Sequence, residues 1–219
     1  MELNSYIDHT NLNAYASIDD IKKLCEEANL YHFHSICINP VYVKIAKEFL
    51  ENSTVSITTV VGFPLGSNTT STKEFEAIEA INNGADEIDM VINIGALKNK
   101  DYEYVKNEIE EIRDSIDGKI LKIIIETCYL TEEEIIKMTE ICNETFVNFI
   151  KTSTGFGVSG ANLKDIEIIN NHKNELLEIK ASGGIKTVCD VTKFINAGVT
   201  RIGTSNGVQI MNEECSCEH

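Results

Sequence analysis

Eight short runs of apolar, largely β-branched residues recur along this chain, and helical patterns separate them. The runs fall at 6–9, 35–38, 56–61, 87–92, 121–126, 147–151, 177–180 and 201–203. Each has the length and composition of a strand buried on both faces. Strands alternating with helices, with no long linker between them, predict a parallel sheet covered by helices. Eight such units in 219 residues predict a single α/β domain, a (β/α)8 or TIM barrel slightly under the usual ~250 residues. An open doubly wound sheet is the competing arrangement. No Gly-x-Gly-x-x-Gly follows the first run, which counts against its dinucleotide-binding version. The domain is expected to occupy 1–219, with a flexible tail from about 212.

Helix boundaries can be read from capping chemistry. Ser17-Ile18-Asp19-Asp20 offers an N-cap serine and an acidic first turn, and Thr131-Glu132-Glu133-Glu134 is a capping box. The latter opens a helix running to about Cys142. Helices are also expected over 71–81, ending at Asn83-Gly84, and over 99–116, ending at Asp117-Gly118. Two more are expected over 162–171 and 188–196.

Composition excludes several functions. A formal net charge of -16 disfavours nucleic-acid binding, which needs clustered basic residues. It leaves room for an anionic small substrate held by backbone amides and one or two lysines. No run approaches the ~20 apolar residues of a membrane span, and residues 1–8 carry no signal-peptide pattern. The expected setting is cytoplasmic, with no membrane partner. The seven cysteines are odd in number and scattered, which argues against a disulfide framework. Cys215-Ser216-Cys217 with His219 reads as a frayed end rather than a metal site. No His-rich ligand set is visible, and no metal or cofactor is expected.

In a barrel, chemistry sits at the C-terminal ends of the strands. Asp8 and Thr10 end the first strand, Cys37 and Asn39 the second, and Gly62 follows the third. Asp89 lies in the fourth, Glu126 ends the fifth, Lys151 the sixth and Lys180 the seventh. Gly203-Thr204-Ser205 closes the eighth. From Asp89 onward these residues recur at about one strand–helix unit, so they share a height around one ring. Lysines at such positions are partly desolvated, which lowers their pKa, and a second ammonium nearby lowers it further. A lysine uncharged near pH 7 is a nucleophile that forms a Schiff base with a carbonyl. A lone lysine there reads as a solvated surface residue. Two at equivalent places on neighbouring strands, each followed by a glycine-bearing turn, read as a site. Asp89 either balances their charge, moves protons, or is a structural carboxylate. Glu126 and Cys37 read as structural. Gly155, Gly183, Gly184 and Gly203 follow strands six, seven and eight, where barrels often bind phosphate; singly, each also fits an ordinary turn.

The chain resembles the deoxyribose-phosphate aldolases. The likeness runs from Ile7-Asp8-His9-Thr10 through Val60-Val61-Gly62-Phe63-Pro64-Leu65-Gly66, Gly84-Ala85-Asp86-Glu87-Ile88-Asp89-Met90-Val91 and Ile124-Ile125-Glu126-Thr127. It continues through Phe149-Ile150-Lys151-Thr152-Ser153-Thr154-Gly155 and Lys180-Ala181-Ser182-Gly183-Gly184-Ile185, closing with Arg201-Ile202-Gly203-Thr204-Ser205. The resemblance implies a class I aldolase of deoxyribonucleoside catabolism. It would cleave 2-deoxy-D-ribose 5-phosphate reversibly to D-glyceraldehyde 3-phosphate and acetaldehyde. It implies Lys151 as the Schiff-base lysine, Lys180 as the lysine that depresses its pKa, and Asp89 as the acid of the proton relay. Asp8 and Thr10 match residues near the second lysine and the substrate, and Gly155, Gly183, Gly184, Gly203 and Ser205 match its phosphate site; Cys37, at the end of the second strand, is also counted among the expected substrate-binding residues.

Four departures stand out. Asn11 replaces an apolar residue, Asn206 a common second serine, and Phe156 a lysine that some members carry. No tyrosine follows Tyr129, so the tail is assigned no proton shuttle. The expected partners are a small sugar phosphate and aldehydes, with a homodimer as the assembly considered. Two other readings stay open: a different Schiff-base lyase on the same barrel, and a catalytically silent sugar-phosphate binder.

Overall fold

The computed structural model describes residues 2–213. Eight parallel strands close into a barrel in sequence order: β1 (Ile7–Asn11), β2 (Ser35–Ile38), β3 (Ser56–Val61), β4 (Glu87–Val91), β5 (Ile120–Ile124), β6 (Phe149–Lys151), β7 (Glu178–Ser182) and β8 (Arg201–Thr204). β8 pairs with β1 through Asp8↔Gly203, which completes the expected (β/α)8 barrel. The surrounding helices are α1 (Ile18–Tyr31), α2 (Val43–Phe49), α3 (Thr70–Asn82), α4 (Ile94–Lys98), α5 (Tyr102–Ser115), α6 (Glu132–Glu144), α7 (Leu163–His172), α8 (Val188–Asn196) and α9 (Gly207–Asn212).

Side chains alternate across each strand, and the two faces differ in chemistry. Ile36, Ile57, Ile88, Ile123, Ile150 and Ile179 join helix residues such as Ile21, Ile109, Met138 and Ile169 in the main apolar core. The opposite face is polar and equally dry: Asp8, Ser35, Thr58, Glu87, Asp89, Lys122, Lys151, Lys180 and Arg201 are all buried. An interior that excludes water while holding this many charges must pair them, and that requirement organises the site.

The capping boxes at Ser17/Asp20 and Thr131/Glu134 are present, with a third at Thr187/Asp190. The helix expected over 99–116 is α5, which begins three residues later at Tyr102. Lys100 turns left-handed (φ 60°), and Asp101 accepts from the Tyr104 amide to start α5 afresh after α4. The sequence reading did not anticipate α2, α4 and α9: all three are short, and α2 and α9 have no side-chain cap.

One buried ion pair anchors the loop that follows β4. Lys73 of α3 donates to Glu108 Oε1 of α5 and to the Val91 carbonyl, both at 2.8 Å, while Glu108 Oε2 accepts from Asn93 N at 3.1 Å. Among the described residues no helix is long and apolar enough to cross a membrane. Cys215, Cys217, His219 and most of the expected tail lie outside the described residues.

Candidate active site

Strand register brings the site together. Lys151 of β6 is the register partner of Lys180 of β7, and Asp89 of β4 is the partner of Lys122 of β5. Asp89 receives three ammonium groups. Lys151 Nζ donates to Oδ2 at 2.7 Å, Lys180 Nζ to the same oxygen at 2.8 Å, and Lys122 Nζ to Oδ1 at 2.7 Å. Lys180 also donates to Asp8 Oδ2. Asp8 in turn accepts from Ser35 Oγ at 2.7 Å and from Arg201 Nη1 at 3.0 Å.

The two lysines diverge because their partners differ. Burial lowers the pKa of Lys151; Asp89 pulls it back up and Lys180 pushes it down, and the net result is below the ordinary lysine value. Burial also opposes the charge on Lys180, but Asp8 and Asp89 together outweigh it and hold its pKa above the ordinary value. Asp89 is held well below the usual carboxylate range: burial works against this, and Lys122, Lys151 and Lys180 overcome it. Neighbouring groups driven to opposite protonation states mark an acid–base pair.

Lys151 faces a cavity of about 330 Å3. Thr10, Gly155, Gly183, Gly184, Gly203 and Ser205 all line it. A Cβ at Gly155 or Gly184 would meet nothing within 4 Å, so crowding does not demand glycine there. Backbone conformation does, since φ is 87° at Gly155, 84° at Gly183 and 79° at Gly184. Successive backbone amides in turns of this kind can form an anion-binding concavity. Lys186 and Asn206 line the same cavity. Phe156, which stands in place of a lysine, packs edge-on against Phe63 with ring centroids 5.4 Å apart, so it bridges the loops after β3 and β6.

Asp8, Cys37 and Asp89 lie deeper than the cavity wall. Asp8 reaches the site through Lys180. Cys37 packs with Leu12, Val60 and Phe63, and burial pushes its thiol up, so it stays protonated. Glu126 adopts a left-handed backbone (φ 50°). Its carboxylate accepts from Thr154 N at 3.2 and 3.3 Å and from the Thr154 hydroxyl, which fixes the loop carrying Gly155.

Sequence reading passed over Lys122, Lys186, Glu87 and Arg201. Lys122 interrupts a short apolar run, Arg201 opens one, and Lys186 reads as the approach to a helix. The available signal was period-two alternation: residues in phase with Asp89 and Lys151 across paired strands share the interior face.

Residues 3–213 match the model of the DeoC/LacD family aldolases. The chain is 51% identical over 210 residues to a deoxyribose-phosphate aldolase of Thermotoga maritima, covering 96% of this chain and 85% of that protein. It is 51% identical over 213 residues to that of Clostridioides difficile, covering 97% of each. The solved tetrameric deoxyribose phosphate aldolase of Aeropyrum pernix superposes with a TM-score of 0.89 at 29% identity, over 95% of this chain and 89% of that one. Matched almost end to end, the chain belongs to the DeoC/LacD family of aldolases.

Proposed function

We propose that this aldolase cleaves 2-deoxy-D-ribose 5-phosphate to D-glyceraldehyde 3-phosphate and acetaldehyde through an imine on Lys151. The observation that carries the assignment is the shared acceptor: Lys151 and Lys180 both donate to Asp89 Oδ2, and only Lys180 has a second carboxylate. The more weakly held lysine loses its proton and becomes the nucleophile.

The uncharged Lys151 amine adds to the C1 aldehyde of the open-chain sugar, and loss of water gives a protonated imine. A water held by Asp89 and Lys180 takes the proton from the C3 hydroxyl and relays it, by way of Asp89, for return to the enamine at C2. The C2–C3 electron pair moves into the imine, leaving an enamine on Lys151 and releasing glyceraldehyde 3-phosphate. Protonation of the enamine at C2 and hydrolysis free acetaldehyde and restore the amine. Acid–base assistance of this kind contributes ~10²–10⁴-fold. Gly155, Gly183, Gly184, Gly203 and Ser205 hold the phosphate, chiefly through backbone amides, and Thr10 lies beside the sugar. Asp8 and Cys37 act from beneath, Asp8 by fixing Lys180 and Cys37 as part of the apolar wall.

Release of acetaldehyde from 2-deoxy-D-ribose 5-phosphate, coupled to its reduction by an alcohol dehydrogenase, tests the assignment. Turnover in the native chain and none in Lys151→Ala is expected. Thermal stabilisation by the sugar phosphate with no acetaldehyde formed would instead identify a silent binder.

A further inference from the structure

Lys122, Glu87 and Arg201 take no part in these steps, yet they are buried beneath them. Their contacts form a closed circuit. Asp89 Oδ1 meets Lys122 Nζ at 2.7 Å, and Lys122 meets Glu87 Oε2 at 2.6 Å. Glu87 Oε2 meets Arg201 Nη1 at 3.0 Å, and the same nitrogen meets Asp8 Oδ1 at 3.0 Å. Asp8 meets Lys180, which returns to Asp89 Oδ2 at 2.8 Å. The signs alternate around the ring, with three carboxylates and three cations. Lys151 touches this ring only at Asp89 and would be a fourth cation. The other buried acids are engaged elsewhere: Glu108 with Lys73, and Glu126 with Thr154.

A net charge buried away from water is costly, and a buried group sheds it by changing protonation state. Arg201 does not deprotonate in a protein, and two carboxylates hold Lys180. We propose that Glu87 and Arg201 are positioning residues that set the charge state of Lys151 from below. The ring they complete is neutral by itself and leaves Lys151 as the uncharged amine. This rests on Lys151 being the Schiff-base lysine. Asp89, Lys180 and the Cys37 thiol face Lys151. Lys122, Arg201 and Asp8 face Glu87, with His34 Nε2 3.1 Å from its Oε1. Asp8, Glu87 and the Phe149 ring, 5.1 Å away, face Arg201. His34 precedes β2 at the barrel floor, and its side chain is 35% exposed, so it is a contact of the ring with solvent.

The test is the pH dependence of imine formation with acetaldehyde, read as borohydride-trapped adduct on the Lys151 peptide. Glu87→Gln removes a negative charge and should move the acid limb down by about one pH unit; Arg201→Gln should move it up by about as much. The double variant restores neutrality and should return the limb to its native position. Loss of packing cannot produce shifts of opposite sign that cancel. If a buried change prevents folding, as judged by circular dichroism, His34→Glu adds a negative charge from the solvent side and should raise the limb by a few tenths of a unit. Unmoved limbs, or single variants shifting the same way, would overturn the ring proposal while Lys151 still forms adduct. No adduct in the native chain would overturn the Schiff-base reading, and this proposal with it.

Discussion

Replacing Lys180 with methionine keeps most of the side chain and removes its charge. In the native site Lys180 and Lys151 are register partners that share one carboxylate oxygen, at 2.8 and 2.7 Å. Neighbouring strands run ~4.8 Å apart, so the two ammonium groups repel across about 5 Å. At an effective dielectric constant of ~20 that repulsion is roughly 3 kcal/mol, or about two pH units in the titration of Lys151. Losing one of its three lysines also leaves Asp89 freer to hold a proton on Lys151, which acts in the same direction. The acid limb of imine formation should therefore move up by about two pH units, and the rate at pH 7 should fall ~100-fold. Stopped-time borohydride quenching with acetaldehyde across pH 5–10 measures both. The variant should recover toward native rates near the alkaline end. Native rates at pH 7, or a deficit of equal size at every pH, would refute the electrostatic role.

Further outcomes follow from the buried polar contacts. Glu126→Leu removes the acceptors of both the Thr154 amide and the Thr154 hydroxyl. It should cost ~10–100-fold in kcat/KM on 2-deoxyribose 5-phosphate with little effect on unphosphorylated 2-deoxyribose; equal losses on both would contradict a role confined to the phosphate loop. Lys73→Met leaves the buried Glu108 without its cation, a cost of ~3–5 kcal/mol that should lower Tm by roughly 10 °C in thermal melts. Adding Glu108→Leu should recover most of that loss. Asp8 and Asp89 titrate below their ordinary values in the folded state, and Glu87 is brought down to about 2 by Lys122, His34 and Arg201 against the effect of burial. Depressed acids stabilise the fold fully above their unfolded values, and that contribution is lost as pH falls through the folded ones. Urea unfolding should show stability falling steeply below about pH 4; stability that rises on acidification would reverse the sign.

The barrel was legible because its strands are buried on both faces. Each strand keeps buried apolar, largely β-branched residues on its helix-facing side, and capping boxes at Ser17 and Thr131 mark where helices restart. The site was legible where a charged residue met a turn, as at Lys151-Thr152, since glycine-bearing loops advertise a strand's C-terminal end; Lys180, expected at the end of its strand, lies at the middle of β7, two residues short of that end. Lys122 met no turn. Flanked by Leu121 and Ile123, it resembles an interruption in a strand, and only the register with Asp89 shows that it points inward. Arg201, the first residue of β8, likewise shows its inward face only through its register with Lys180. Asp8 was legible as a site residue, but its depth was not: the alternation of one strand cannot say how far below the cavity a side chain ends. The break between α4 and α5 depends on a left-handed Lys100, a conformation that lysine composition does not signal.

The central claim is a covalent one, that the reacting carbonyl bonds to the Lys151 nitrogen. Incubation with acetaldehyde, reduction with borohydride and peptide mass spectrometry test it directly. The account predicts one reduced two-carbon adduct on the peptide carrying Lys151, lost in Lys151→Ala and not transferred to Lys180 or Lys122. An adduct on either of those lysines instead, or none anywhere while acetaldehyde is still released from the sugar phosphate, would contradict it.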